Sequence, residues 1–241
     1  MNDYLKMQKA TYAKHFADGK SAKDIVGNYE WHERYPYEDY LLSDITNPEA
    51  MLALDFGCGE GRMIRRMSVH FKRVDGVDIS PDVIAAADCP GSRLYVIDGQ
   101  HLDGVPDDEY DLVYSTIAFQ HIASCSVRKT LLKEFARVLR PGGRIALQTV
   151  YSDKPKSAWN DNSWNTWAVE NNIQYQHVEW TDPGENVTAT NGLGDAVISP
   201  QSIGAVQRDF EEAGIKDFHY LIGPPPHAWI GDWIYLYGTK G

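Results

Sequence analysis

The feature that most constrains the fold is residues 52–61, LALDFGCGEG, an apolar run that ends in a carboxylate and three alternating glycines. The apolar run predicts a short buried strand, and a helical apolar spacing begins at Met63. Glycine has no Cβ atom, so the loop can turn sharply and let a ligand approach the backbone. The loop glycines are Gly57, Gly59 and Gly61. The segment therefore predicts a ligand cradle at a helix N-terminus.

The glycine spacing distinguishes this loop from two better-known ones. A phosphate-binding loop ends in Gly-Lys-Ser/Thr, whereas Gly61 is followed by Arg62 and Met63. A dinucleotide-binding loop has its third glycine one residue later, and Glu60 places negative charge where a pyrophosphate needs amides. Two interpretations stay open, a nucleotide-like ligand without phosphates and a simple strand-to-helix turn.

A second carboxylate follows at an informative distance. The segment RVDGVDIS predicts a strand that ends at Asp78, 21 residues after Gly57. A carboxylate at the end of the neighbouring strand can accept hydrogen bonds from both hydroxyls of a ribose, and it disfavours a 2′-phosphate. Ser80 and Pro81 predict the N-cap and first residue of the next helix. The alternative for Asp78 is a solvated acid in a turn.

Three further strands and a helix complete the pattern. RLYVID predicts a third strand that ends at Asp98, whose carboxylate can accept a hydrogen bond from the exocyclic amine of adenine. A fourth strand is expected from Tyr110 to about Ala118, and an amphipathic helix follows it. The residues RPGG (140–143) end that helix, and RIALQTV predicts a fifth strand. Strands alternating with helices indicate an α/β fold with a parallel sheet covered on both faces.

Taken together, these motifs resemble class I S-adenosylmethionine-dependent methyltransferases of the small-molecule type. The resemblance covers residues 48–150 and is carried by DFGCGEG, the two strand-end acids, YDLVYSTIAFQHI and LRPGGRIALQTV, in that order. It implies a Rossmann-like, doubly wound seven-stranded sheet whose last strand is antiparallel. S-adenosylmethionine would lie across the carboxyl ends of the first strands, with S-adenosylhomocysteine as the product.

The resemblance also implies which residues hold the cofactor. Asp55 and the loop backbone would face the methionyl part, Asp78 the ribose, Ile79 the adenine face and Asp98 the adenine amine, and Ser115 would border the sulfonium. The implied set is Asp55, Phe56, Gly57, Cys58, Gly59, Gly61, Asp78, Ile79, Asp98, Gly99, Gln100 and Ser115. For Asp55, a structural role in pinning the loop is an open alternative.

The chain outside these motifs is expected to form three further parts. Residues 1–47 predict an N-terminal helical segment that, by analogy, covers the cofactor held by the core, 48–150. Residues 151–198 predict an insertion after the fifth strand that acts as a substrate lid, and 199–241 predict the end of the same core. Substrate contacts are expected from Tyr29, Trp31, Trp164, His177 and His227. Ordinary packing is the alternative for the aromatic residues.

Catalysis of methyl transfer needs alignment above all, because the sulfonium is already an activated donor. A base is needed only for an alcohol or a phenol. His121, which follows the fourth strand, is the candidate catalytic residue, with a helix-start or core role as the alternative. His177 and His227 are weaker candidates for the same role. The spacing of His, Cys, Asp and Glu predicts no metal site and no disulfide framework.

Composition limits the partners. The 241 residues carry a formal net charge of −11, and the densest arginine cluster, RMIRRM, is expected to be a solvated helix face. This charge argues against nucleic acid as a partner. The chain has no apolar run of about 18 residues and no signal-peptide pattern, so we expect a cytoplasmic protein without a membrane partner. The oligomeric state is left open.

These expectations combine into a predicted function. The chain is expected to be an S-adenosylmethionine-dependent methyltransferase that methylates oxygen or nitrogen of a small molecule. One alternative is a methyltransferase-like binding protein without turnover. The other is a protein methyltransferase, although the Asn/Asp-Pro-Pro-Tyr signature of amide and adenine methylation is replaced by STIAFQH after the fourth strand.

Overall fold

A computed structural model describes most of the chain, and the statements below concern the described part. The described residues are 3–19, 29–151, 176–181, 196–198, 203–224 and 232–241.

Strands and helices alternate through the middle of the chain, as the sequence predicts. The strands are β1 (Leu52–Phe56), β2 (Arg73–Asp78), β3 (Leu94–Val96), β4 (Tyr110–Ser115), β5 (Leu139–Tyr151), β6 (Gln176–Val178), β7 (Ala196–Ile198), β8 (Ile215–Gly223) and β9 (Asp232–Lys240). The helices are α1 (Asp3–Ala17), α2 (Tyr29–Arg34), α3 (Tyr37–Leu41), α4 (Arg62–Met67), α5 (Pro81–Ala86), α6 (Cys125–Val138) and α7 (Ile203–Glu212).

Seven of the strands form one mixed sheet in the order β3-β2-β1-β4-β5-β9-β8. Strands β1 to β5 pair in parallel, and β9 is antiparallel to both of its neighbours. The expected Rossmann-like sheet with an antiparallel last strand is therefore confirmed. The strand order changes direction between β1 and β4, and open α/β sheets bind ligands in the crevice that forms at such a point.

Both faces of the sheet are covered. Alternation along β1 sends Leu54 and Phe56 to the face covered by α6, while Ala53 packs on the opposite face with the apolar side of α4. The short helix α3 also covers this second face. The larger side chains of the second face include Tyr37, Met63, Tyr114, Trp233, Tyr235 and Tyr237.

Three element ends differ from the sequence prediction. Strand β3 ends at Val96 rather than at Asp98. Strand β4 ends at Ser115 rather than near Ala118, because Ile117 has a positive φ of 67°, which an extended strand cannot contain. The RPGG segment lies inside β5, where the pairing register with β4 shifts between Tyr110 and Leu112.

The N-terminal helix α1 is attached to the core at two described positions. The side chain of Leu5 is fully buried in the same apolar cluster as Phe56 and Ile97. The amide of Gln8 donates a hydrogen bond of 2.8 Å to the carbonyl of His121. Helix α1 thus reaches the segment that follows β4.

The insertion after β5 contains a second, two-stranded sheet in which β6 and β7 pair in parallel. Just after β6, Trp180 is fully buried, and its Nε1 donates to Asp209 of α7 at 2.7 Å. The guanidinium of Arg128 in α6 lies 5.2 Å from the Trp180 ring centre and donates to its carbonyl. Trp180 therefore anchors the insertion to the core. Trp164 of the insertion lies outside the described residues.

Across the described helices, none combines the length and the apolar composition that crossing a lipid bilayer requires.

Candidate functional site

The glycine loop lies in the crevice at the carboxyl ends of β1 and β4. The backbone amides of Gly57 and Cys58 donate to the carbonyl of Val77, at 2.9 and 3.0 Å, which fixes the loop to the end of β2. Gly57, Gly59 and Gly61 all have positive φ, at 73°, 54° and 81°. The loop therefore has the left-handed backbone for which glycine is suited.

Gly57 and Gly59 have different surroundings. A Cβ atom on Gly57 would lie 2.2 Å from the Cβ of Ala118, so Gly57 lets the segment after β4 approach the loop. A Cβ on Gly59 would meet no atom within 4 Å. Gly59 therefore borders open space, where a ligand can approach the backbone.

Asp78 binds the loop with both carboxylate oxygens. Oδ2 accepts a hydrogen bond from the Gly59 amide at 3.0 Å, and Oδ1 accepts one from the Ser80 amide at 2.9 Å. Burial raises the pKa of Asp78, and these amides oppose that effect. Each oxygen has a second lone pair, so the carboxylate can still accept hydroxyl hydrogen bonds. Ser80 caps α5 as predicted, accepting from Val83.

Asp98 forms a tight turn at the end of the third strand. Its Oδ1 accepts from the amides of Gln100 and His101, and its Oδ2 lies 3.0 Å from His101 Nδ1. Burial works to raise the pKa of Asp98, but the His101 hydrogen bond and the two amides outweigh it and lower the pKa. His101 is thus a partner of Asp98 that the sequence analysis does not predict.

The residues expected around adenine lie together. A Cβ on Gly99 would lie 2.8 Å from Ile79 Cδ1 and 2.9 Å from Leu5 Cδ2. Because Leu5 belongs to α1, the N-terminal helix covers this end of the crevice.

Asp55 is the least satisfied carboxylate of the site. It is 2% exposed, and its Oδ2 has no hydrogen-bond partner among the described residues. Burial raises the pKa of Asp55 to about 8, Arg62 acts to lower it and Asp78 to raise it. Buried polar atoms normally have a partner, so the lone oxygen suits a cationic or hydrogen-bond-donating ligand.

Tyr114 adds a second unpartnered group beside Asp55. The two residues are paired across β1 and β4, and Tyr114 is fully buried. Its hydroxyl also has no hydrogen-bond partner among the described residues. Burial, and then the charge of Asp55, raise the pKa of the Tyr114 hydroxyl, which therefore stays protonated. Tyr114 was not predicted, because the sequence offers no sign that a tyrosine within a buried strand faces the site.

The arginines of α4 differ from the sequence prediction that they form a solvated helix face. Arg62 and Arg66 are half-buried, and their guanidinium groups lie 5.2 and 5.4 Å from the ring centre of Tyr37. Only Arg65 is exposed. The prediction of a solvated helix face is therefore wrong for two of the three arginines, because the N-terminal segment packs over α4.

Three of the predicted cofactor residues, Ser115, Phe56 and Cys58, make contacts within the protein, and their roles toward the cofactor stay predictions. The Ser115 hydroxyl donates to the Phe56 carbonyl at 2.9 Å and accepts from the Phe119 amide at 3.1 Å, so it ties β4 to β1. The Phe56 ring packs in the core. Cys58 is buried, and burial raises the pKa of its thiol, so it stays protonated, as expected of a small space-filling residue.

His121 is half-buried at the end of a 3₁₀ helix, Phe119–His121, after β4. Its Nε2 lies 3.1 Å from Nε2 of Gln120. The Gln120 side chain in turn contacts Gln148 of β5. Neither glutamine is among the predicted site residues, since isolated glutamines carry no motif.

The predicted substrate residues are placed only in part. Tyr29 and Trp31 lie in α2, and His177 lies in β6; their side chains are outside the described part of the structure. Trp164 and His227 lie outside the described residues altogether. The roles of these five residues stay predictions.

The crevice meets the needs of S-adenosylmethionine. The carboxylates of Asp78 and Asp55 offer acceptor positions for a polar, positively charged ligand without phosphates, and Oδ2 of Asp55 has no partner among the described residues. Within the described residues, no cluster of three or more His, Cys, Asp or Glu side chains is arranged to hold a metal ion.

Comparison with known proteins supports this interpretation. Residues 54–147 match the family model described as a methyltransferase domain. An uncharacterized methyltransferase of Schizosaccharomyces pombe is 36% identical over 53% of this chain and 50% of its own length. A malonyl-[acyl-carrier protein] O-methyltransferase of Salmonella typhimurium is 33% identical over 52% of this chain and 50% of its own length. The chain spans about half the length of these curated relatives.

A solved structure extends the similarity of fold to almost the whole chain. The 1,6-didemethyltoxoflavin N1-methyltransferase of Burkholderia thailandensis, solved with its substrate and S-adenosylhomocysteine, has a TM-score of 0.66. It is 17% identical and is matched over 99% of this chain and 89% of its own. Fold, loop geometry and family match agree on a methyltransferase domain over residues 54–147.

Proposed function

We propose that this protein transfers the methyl group of S-adenosylmethionine to an oxygen or nitrogen atom of a small molecule and releases S-adenosylhomocysteine. The observation that carries the proposal is Asp55, a buried carboxyl group whose Oδ2 has no hydrogen-bond partner among the described residues, beside a glycine loop that borders open space at Gly59. An uncompensated buried carboxyl group costs stability, so its presence is explained by a ligand that supplies the missing partner.

Each part of the crevice has a role in this proposal. Asp55 and the backbone from Phe56 to Gly61 face the methionyl part, with Asp55 binding the ammonium directly or through a water. Asp78 holds the ribose hydroxyls, while Ile79, Asp98, Gly99 and Gln100 surround the adenine. When bound, the cofactor supplies an activated methyl group, so the protein needs chiefly to align the acceptor.

The segment after β4 is the boundary between cofactor and acceptor. Ala118 contacts Gly57 of the cofactor loop, and His121 lies one helical turn further along. Strand β7 of the insertion lies beside this 3₁₀ helix. The insertion is therefore suited to cover the acceptor, as the substrate-lid prediction requires.

The relatives support both kinds of acceptor atom. The Salmonella relative is named for O-methylation of malonyl-[acyl-carrier protein], and the Burkholderia structure for N1-methylation of an aromatic heterocycle. A carboxylate or an amine needs no base before it attacks the methyl carbon, whereas an alcohol does. We therefore place carboxylates and amines first in an acceptor screen.

Isothermal titration with S-adenosylmethionine and S-adenosylhomocysteine tests the cofactor half of the proposal. Asp78→Asn keeps the shape of the side chain but removes charge and one acceptor, and we expect roughly 10-fold weaker binding or worse, on the scale of a hydrogen bond to a charged group. Asp82→Asn, on the exposed first turn of α5, is the control and should bind as the wild type does.

Measuring turnover distinguishes a small-molecule methyltransferase from the two alternatives, a binding protein without turnover and a protein methyltransferase. Wild-type protein is incubated with S-adenosylmethionine and a panel of carboxylates, amines, phenols and unstructured peptides, and S-adenosylhomocysteine formation is measured. A small-molecule product supports the proposal. Tight cofactor binding with no product from any acceptor favours a binding protein without turnover, and a methylated peptide favours a protein methyltransferase. Failure to bind either nucleoside overturns the proposal.

A further inference from the structure

The backbone that follows β4 is held in a strained conformation at the edge of the cofactor crevice. Ile117 has a φ of 67°, in the left-handed region that β-branched residues rarely adopt. Its neighbour Ala118 contacts the position of Gly57. Such strain persists only where the surroundings fix it, so a specific contact must hold this segment.

That contact is the side chain of Gln148. Gln148 is fully buried in β5, and its Oε1 accepts a hydrogen bond of 2.7 Å from the amide of Ile117. A backbone N–H can only donate, so the orientation of this side-chain amide is determined: its oxygen faces Ile117 and its nitrogen faces the other way. Nε2 of Gln148 donates to Oε1 of Gln120 at 2.9 Å.

The same reasoning extends to His121. Because Oε1 of Gln120 accepts from Gln148, the NH₂ group of Gln120 is the atom that lies 3.1 Å from Nε2 of His121. An NH₂ group is a donor only, so Nε2 of the imidazole must be the acceptor. The proton of a neutral ring with an accepting Nε2 is on Nδ1.

We propose that Gln148 is a positioning residue that holds the segment after β4 and, through Gln120, fixes His121 as the tautomer protonated on Nδ1. The lone pair of Nε2 is committed to Gln120, so His121 takes no proton from the acceptor while this network is intact. The consequence of this tautomer for catalysis rests on the proposed methyl transfer, whereas the tautomer itself does not. This arrangement of His121 favours acceptors that need no protein base, namely carboxylates and unprotonated amines.

The transfer then balances without the imidazole. The carbon–sulfur bond breaks as the new carbon–oxygen or carbon–nitrogen bond forms, and the sulfur keeps the bonding electron pair. A carboxylate gives a neutral ester. A neutral amine gives an ammonium product that loses its proton to water.

The tautomer can be read directly by NMR. Protein labelled with ¹⁵N-histidine is recorded at neutral pH in a long-range ¹H–¹⁵N correlation experiment, and the His121 signals are identified by their loss in His121→Gln. We expect a protonated Nδ1 and an unprotonated Nε2. A wild-type spectrum with the proton on Nε2, or on both nitrogens, overturns the inference.

Two isosteric variants test the network itself. In Gln148→Glu, the ionised carboxylate accepts hydrogen bonds from the Ile117 amide and from the NH₂ group of Gln120. Gln120 then presents its oxygen to His121, and the ring proton should move to Nε2. In Gln120→Glu, a carboxylate oxygen faces the ring directly and should cause the same exchange. Gln207→Glu, on the exposed side of α7, is the control and should leave the spectrum unchanged.

The outcomes remain distinguishable if one variant fails. Should the buried charge in Gln148→Glu prevent folding, Gln120→Glu still reports the tautomer. An unchanged His121 spectrum in folded Gln120→Glu contradicts the network. Loss of S-adenosylmethionine binding in the wild type would contradict the proposed function and leave these spectra unaffected.

Discussion

Asp55 and Tyr114 are paired across the parallel strands β1 and β4, and each has a buried polar atom with no hydrogen-bond partner among the described residues. They lie where the strand order changes direction, which is where α/β sheets bind their ligands. Two adjacent unpaired polar groups in a core lower stability. The two groups therefore lower the stability of the free protein, and a ligand that pairs with them would restore it.

Removing the hydroxyl group of Tyr114 should change the stability of the free protein little. In Tyr114→Phe we expect unchanged stability or a gain of up to about 1 kcal/mol, because an unsatisfied buried hydroxyl is lost. Urea unfolding measures this difference. The control is Tyr110→Phe in the same strand, whose hydroxyl donates to Asp75 at 2.9 Å and whose loss should cost about 1–3 kcal/mol. Equal losses in the two variants would contradict the assignment of Tyr114.

The pKa of Asp55 makes a prediction about pH. Burial raises this pKa from 3.8 to about 8, so between these values the folded protein keeps a proton that the unfolded chain releases. Stability contributed by this group is therefore full below about pH 4 and falls until about pH 8. We expect Asp55→Asn to remove that slope and to be the more stable protein at pH 8, by about 1–3 kcal/mol.

Unfolding curves of wild type and Asp55→Asn at several pH values test this expectation. Asp82→Asn, at an exposed position, should keep the wild-type slope. The same Asp55→Asn variant should bind S-adenosylmethionine more weakly, because an amide cannot give up a proton and pair as a carboxylate with the ammonium group of the ligand. A variant that is both less stable at pH 8 and unaffected in binding would exclude this account of Asp55.

Gly57 should not tolerate a methyl group. Its φ of 73° costs an alanine about 1–2 kcal/mol, and the new Cβ would lie 2.2 Å from Ala118. Gly91→Ala, with a φ of 87° and open surroundings, shares only the backbone cost. We expect Gly57→Ala to unfold at lower urea and to lose cofactor affinity, while Gly91→Ala keeps it. Similar cofactor affinity in both variants would argue against the close approach at Gly57.

Arg66 should attach the N-terminal segment to α4. Its guanidinium pairs with Glu38 and donates to the carbonyls of His32 and Tyr35, at 3.1 and 3.0 Å. The pair is partly exposed, so we expect Arg66→Ala to cost about 1–3 kcal/mol, between the values for surface and buried pairs. Arg65→Ala, at the exposed neighbouring position, is the control.

Hydrogen exchange locates the effect of Arg66→Ala. Amides of α3 should exchange faster than in the wild type, since they lose the attachment to α4, while amides of β1 and β4 should be little changed. Uniform acceleration across the sheet would mean that Arg66 stabilises the fold as a whole rather than this segment.

Several local features could be predicted because their causes are local. The glycine loop, the Ser80 cap and the first residue of α5 at Pro81 depend on backbone preferences of the residues themselves, and the structure has them where expected. The parallel pairing of the first five strands follows from alternating strands and helices, whereas the antiparallel last strand was implied by the family resemblance. The roles of the predicted cofactor and substrate residues in binding stay predictions.

Other features depend on residues far apart in the chain. The half-burial of Arg62 and Arg66 depends on the N-terminal segment, about 30 residues earlier, and a helical pattern does not show what packs on it. The early end of β4 depends on Gln148, which stabilises the positive φ of Ile117 from another strand. Trp180, which in sequence looks like part of the lid, is buried against α6 and α7.

By itself, the sequence determined the class of fold, the glycine loop and the acid that ends the second strand, because strand period, glycine and caps act over a few residues. Only the tertiary structure decided that Asp55 and Tyr114 are unpaired neighbours, and that a backbone amide at Ile117 sets the direction of the hydrogen bonds that reach His121. Burial and hydrogen-bond direction depend on atoms brought together from distant positions, and no local pattern encodes them.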